Sequence, residues 1–77
     1  MVTFEEALEI AKDIIHTVDY YTETEKAYFF TNKDIQYNLG GGEVVVMKDT
    51  GRVVTHVEYI HLMNGEKDKV VKRRRRV

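Results

Sequence analysis

Val44-Val45-Val46-Met47 is the segment that most limits what this chain can fold into. Successive side chains of a strand point to opposite faces, so an unbroken aliphatic run makes a strand that is apolar on both sides. The strand is read as running from Glu43 to Lys48, with Arg52 to about His56 as its partner beyond Lys48-Asp49-Thr50-Gly51. Asp49-Thr50-Gly51 fits a three-residue hairpin loop with Gly51 left-handed, a conformation glycine adopts at the lowest steric cost. That loop pairs Lys48 with Arg52, Met47 with Val53, Val46 with Val54 and Val45 with Thr55. One face then carries Val44, Val46 and Val54, the other Val45, Met47 and Val53. Upstream, Lys26–Thr31 is aromatic-rich and reads as another strand, with Tyr28 and Phe30 on one face and Ala27 and Phe29 on the other. Such a sheet needs cover on both sides.

One cover is evident. Thr3-Phe4-Glu5-Glu6 is a capping box, and Phe4, Ala7, Leu8, Ala11, Ile14, Ile15 and Val18 recur at three- and four-residue spacing. The spacing predicts an amphipathic helix from about Phe4 to Val18, with Glu5, Glu9, Lys12, Asp13 and His16 largely on the opposite side. After the aromatic strand, Thr31-Asn32-Lys33-Asp34 reads as a turn, and Ile35-Gln36-Tyr37-Asn38 as a short strand or an ordered loop. Beyond His56 two patterns compete. Val57, Tyr59 and His61 alternate as in a strand, while Val57, Ile60, His61 and Asn64 share one helical face and Asn64-Gly65 resembles a helix stop. The reading adopted is a short helix. One long helix covers one sheet face only, so the second requires the Val57–Asn64 segment, a second copy of the chain, or another protein.

The expected architecture is therefore α+β: one N-terminal helix on a small antiparallel sheet of three to four strands, with a short C-terminal helix. A chain of 77 residues makes one thin-cored domain, placed at residues 1–65, because so short a chain buries only about 60% of its unfolded surface. Residues 66–77 read as a basic, disordered tail. Residues 1–65 hold 5 Lys/Arg and 11 Asp/Glu, a formal −6, whereas residues 66–77 hold 7 and 2, a formal +5. That segregation concerns partners and solubility, not fold.

Most chemistries find no support. The chain has neither cysteine nor serine, so disulfides, thiolate metal sites and the commonest nucleophiles are excluded. Gly40-Gly41-Gly42 runs into a strand and is followed by Glu43, whereas a phosphate loop runs into a helix; the run reads as a bend. His16, His56 and His61 lack ligand spacing, and acid pairs such as Glu5/Glu9 read as solvated surface. Neither catalysis, a cofactor nor a metal is expected. An acidic N-terminus and the lack of a long apolar run point away from a signal peptide or membrane span, and to the cytoplasm.

The succession of the helix, Tyr28-Phe29-Phe30, Gly41-Gly42, Val44–Met47, Lys48-Asp49-Thr50-Gly51, a short strand and Glu58-Tyr59-Ile60 resembles the immunity protein 35 family of small bacterial α+β proteins, over about residues 3–63. The resemblance implies a non-enzymatic protein that binds and masks a partner protein, such as a toxin or a client. The candidate partner-binding residues are Glu5, Glu9 and Asp13 on the acidic helix face, with Tyr28, Phe30, Val44, Val46 and Val54 on an apolar sheet face. The alternatives are nucleic-acid binding through Lys72, Arg73, Arg74, Arg75 and Arg76, disfavoured by the acidic body, and a structural homodimer.

Overall fold

A computed structural model gives the structure of the protein, described at residues 1–33 and 43–77. Helix α1 (Phe4–Ile15) is followed by β1 (Tyr20–Thr24), β2 (Ala27–Thr31), β3 (Val44–Met47), β4 (Val53–Val54), α2 (His56–Met63) and β5 (Val70–Arg76). The strands form one antiparallel sheet in the order β4-β3-β2-β1-β5. The α+β class and the N-terminal helix are as expected. The strand expectation for Ile35–Asn38 and the bend at Gly40–Gly42 lie outside the described residues, as does the end of the turn at Asp34.

α1 begins as its sequence dictates. The Thr3 hydroxyl accepts from the Glu6 amide (3.2 Å), and the Thr3 amide donates to the Glu6 carboxylate (3.0 Å). That bond holds the Glu6 carboxyl below its usual range, because the capping amide favours the charged form. The helix stops three residues before the predicted Val18. His16, at φ 63°, turns the chain and its amide closes on the Lys12 carbonyl (2.9 Å).

Two apolar layers result. On one face Ala7 and Ala11, both fully buried, let α1 approach Tyr28, Phe30, Val44 and Val46 closely. Phe4 packs its ring 4.6 Å from Tyr21 and 5.7 Å from Tyr28. On the opposite face, Ala27, Phe29, Val45, Met47 and Val54 pack against Met63 and Tyr59 of α2. The Phe29 and Tyr59 rings meet edge to face at 4.8 Å. Of the three covers considered, the chain supplies the second face with its own 56–63 helix.

Three expectations are corrected. The hairpin is shifted by one residue: Val46 pairs with Val53 and Val45 with Val54, and the Met47 amide bonds to the Arg52 carbonyl (2.9 Å). Lys48 cannot pair with Arg52 because its amide donates to Lys26 and its carbonyl accepts from Val2 (2.9 and 2.8 Å). The loop is thus Lys48–Gly51, and Val54 lies with Val45, on the face away from Val44 and Val46. Second, α2 turns Tyr59 and Met63 to the sheet, whereas Val57, Ile60, His61 and Asn64 are exposed. Thr55 caps α2 immediately after β4, and that single-residue link sets the helix's rotation. Third, among the described residues the sheet has five strands, and residues 70–76 are not a disordered tail but β5, paired with β1 from Tyr20↔Arg76 to Thr24↔Val70.

Gly51 has φ 74°, and a Cβ there would stand 2.9 Å from Val2 Cγ1. The left-handed conformation costs a side-chain-bearing residue about 1–2 kcal/mol. Gly51→Ala is therefore expected to lower the unfolding free energy by that much or more, read as a lower urea midpoint with an unchanged denaturant slope. An unaltered midpoint would contradict this loop geometry.

Candidate interaction surfaces

The structure separates the residues singled out in the sequence. Glu5, Glu9 and Asp13 are exposed on the outer side of α1. Tyr28, Phe30, Val44 and Val46 lie beneath that helix, 7% exposed or less, and Val54 lies on the other side of the sheet beneath α2. These five side chains are core, so the apolar sheet face that was expected to dock a partner is internal. Both sheet faces being covered, attention moves to the helices and the sheet edge.

α2 is the least resolved piece of the packing. Its sequence, HVEYIHLM, is apolar on nearly every side, yet only Met63 is buried and Tyr59 half-buried. Val57 (58% exposed), Ile60 (57%) and Leu62 (52%) stand in solvent. A helix apolar all round is ordinarily enclosed. What fixes α2 is polar. The Asp68 carboxylate accepts from the Tyr59 hydroxyl (2.6 Å), the Thr24 hydroxyl (2.6 Å) and the Lys26 amide (3.2 Å), tying α2 and the lead into β5 to the β1–β2 turn. The Tyr59 hydroxyl is pushed well above its ordinary pKa by burial first, and then by its bond to Asp68.

A second polar cluster lies by the α1 layer. Lys48 Nζ meets Glu23 Oε2 at 2.6 Å, both largely shielded, and sits 4.9 Å from the Tyr28 ring centroid. Burial, followed by the Glu23 charge, raises the Tyr28 pKa. The network ties β1 to the β3–β4 loop.

β5 carries the basic run, and all seven of its residues are exposed. Arg74 and Arg76 lie over the Tyr20 ring at 4.6 and 6.0 Å, and the Arg74 amide donates to the Thr22 hydroxyl (3.1 Å). Lys72 pairs opposite Glu23, with register shifts on either side of that position. The strand thus holds its cations in place along one margin of the sheet.

The three histidines stand apart: His16 caps α1, His61 is exposed, and His56 Nδ1 lies 4.0 Å from Glu43 Oε1. Among the described residues no three His, Cys, Asp or Glu side chains converge as metal ligands, and no helix is long and apolar enough to cross a membrane. An open cavity of about 470 Å³ lies at the turn end of the sheet, reached by Met47, Leu62 and Met63. Compared with known proteins, the chain matches no family model, no curated protein and no solved structure.

Sequence reasoning missed Asp68, Tyr20 and the outward side of α2. One signal was present: Thr55-His56-Val57-Glu58 repeats the Thr-x-x-Glu box of Thr3–Glu6. Both boxes form, and the second fixes where α2 starts and therefore which side it buries.

Burial raises the Glu43 pKa above its usual 4.5, against the smaller opposing pull of His56 and Arg74. A carboxyl whose folded pKa is raised favours the fold while protonated and loses that contribution as pH rises through the folded value. Glu43→Gln should therefore gain stability relative to the wild type as pH rises from the ordinary carboxylate range towards neutrality. Urea titrations of both proteins at several pH values measure this, and a pH-independent difference would contradict it.

Proposed function

We propose that the protein is a non-enzymatic protein-binding module, immunity-like or chaperone-like in the manner of the family it resembles, which masks a partner protein. The observation that supports this reading is the exposed apolar side of α2, formed by the neighbouring Val57 and Ile60. Exposed apolar surface of this kind marks protein contact sites more often than it marks catalytic ones. The acidic side of α1, with Glu5, Glu9 and Asp13, lies across the sheet and acts at longer range. It favours a basic partner by steering the encounter instead of forming the dry contact.

The test is capture from the native host with the full chain as bait. The wild type is expected to retain one protein in stoichiometric amount. Val57→Ser/Ile60→Ser is expected to lose it while its unfolding free energy stays within about 0.5 kcal/mol, as befits exposed positions. Retention by the double variant, or recovery of no specific protein over repeated trials, counts against the reading. Light scattering at several concentrations distinguishes the remaining occupant, a second copy, by a mass that doubles with concentration.

A second reading rests on β5, where ordered cations beside Tyr20 could follow a nucleic-acid backbone. It expects retention on heparin or RNA columns that falls with salt and is lost in Arg73→Gln/Arg75→Gln/Arg76→Gln. A wild-type chain that flows through at low salt ends this reading.

A further inference from the structure

We infer that the cavity at the turn end of the sheet is a binding site for an amphipathic carboxylate, meaning an apolar body of side-chain size that carries one carboxylate. The site is lined by Leu62 and Met63 in the last turn of α2, not by Val57 or Ile60. Its volume of about 470 Å³ suits a small ligand, since such sites span about 300–1,000 Å³.

The lining grades from apolar to cationic. Met47 and Met63 are buried at 8% and 7% exposure, with Leu62 beside them. Met1 lines the same space, so all three methionines of the chain face one cavity. Thioether side chains are flexible and polarisable, and they close around irregular apolar groups without a preformed shape. Lys26, Lys48 and Arg52 also line it and outnumber the two lining carboxylates, Glu25 and Asp49; of the three cations Lys26 and Arg52 are the exposed ones.

The cations differ in how firmly they are held. Lys48 is committed to Glu23 at 2.6 Å in a shielded pair. Lys26 meets Glu66 at 3.1 Å and Arg52 meets Glu58 at 3.3 Å, with all four side chains about half exposed or more. Such exposed pairs contribute little, so Lys26 and Arg52 can exchange their partners for a ligand carboxylate at small cost. An apolar floor under exchangeable cations selects a ligand that enters with its apolar body first and leaves its carboxylate at the mouth. Two sources carry that chemistry: a free fatty-acid-like molecule, or the C-terminal residue of a partner chain.

The methionines make the site directly readable. The full chain labelled with ¹³C at the methionine methyl groups gives three signals, of which those of the buried Met47 and Met63 report on this cavity and that of Met1, 92% exposed, serves as a solvent reference. Titration with octanoate, and with a tripeptide ending in leucine, is compared with titration by the corresponding amides. Saturable shifts of the Met47 and Met63 methyls are expected with at least one carboxylate. Binding should be about threefold weaker for its amide, the loss expected for a charge contact exposed at the mouth. Response to octanoate assigns a free ligand, and response to the peptide alone assigns a chain terminus. Lys26→Gln/Arg52→Gln should reproduce the loss seen with the amide. No saturable shift with either carboxylate, or equal binding of acid and amide, overturns the inference. Partner capture through α2 that persists while these methyls stay unmoved removes this site alone.

Discussion

All five residues of β2 and all four of β3 are buried, and no arrangement with one cover can bury them. Each fully buried large apolar side chain contributes about 1.5–3 kcal/mol relative to exposure. Phe30, Val45 and Val46 are the largest that are fully enclosed, and they divide between the two faces. The position of every other element follows from that pair. α1 takes the Tyr28–Phe30 side, α2 is drawn to the Phe29–Val45 side, and β1 and β4 flank the pair so that its backbone groups are bonded.

The two covers are unequal, and the proposed function rests on that inequality. α1 has twelve residues, an alanine spacing suited to close approach, and a polar outer side. α2 has eight, too few to be stable alone. It relies on the Thr55–Glu58 box, the left-handed Asn64 at its end, and the Tyr59–Asp68 hydrogen bond. Asp68 is a half-buried carboxylate with three donors around it, an arrangement that is costly to break by removing one partner. A short helix so firmly pinned, yet leaving Val57 and Ile60 in water, fits an element held in position for something outside the chain.

The sequence was informative where a pattern is local and uninformative where it is not. The capping box of α1 and the left-handed Gly51 depend on residues within a turn or two and are found as read; the α1 stripe is found in part, since the helix ends at Ile15, Ile14 is exposed and Ile10 packs on the core. The hairpin register depended on Lys48, whose backbone bonds run to Lys26 and to Val2, strands and termini that loop chemistry alone does not specify. β1 was invisible because Tyr20-Tyr21-Thr22-Glu23-Thr24 alternates only weakly in polarity. β5 was hidden by composition: a run of arginines has no apolar face, and it joins the sheet through backbone pairing with β1 and stacking on Tyr20. The buried docking face had the same origin. A strand apolar on both sides demands cover, and sequence alone does not say whether the chain or a partner supplies it.

Sheet edges bear on how such a protein associates. An exposed edge is a template for another strand unless it is short, twisted or charged. β4 offers two residues. β5 is longer, but its register shifts and the positive φ at Arg74 interrupt a regular ladder. Two copies joined edge to edge through β5 would also oppose runs of like charge, which is destabilising. Both edges are therefore poor templates for extending the sheet. Large apolar side chains instead stand exposed on α2, at Val57, Ile60 and Leu62. In the proposed protein-binding role, the basic margin and the acidic side of α1 would bias which partners approach, and the apolar contact on α2 which of them stay.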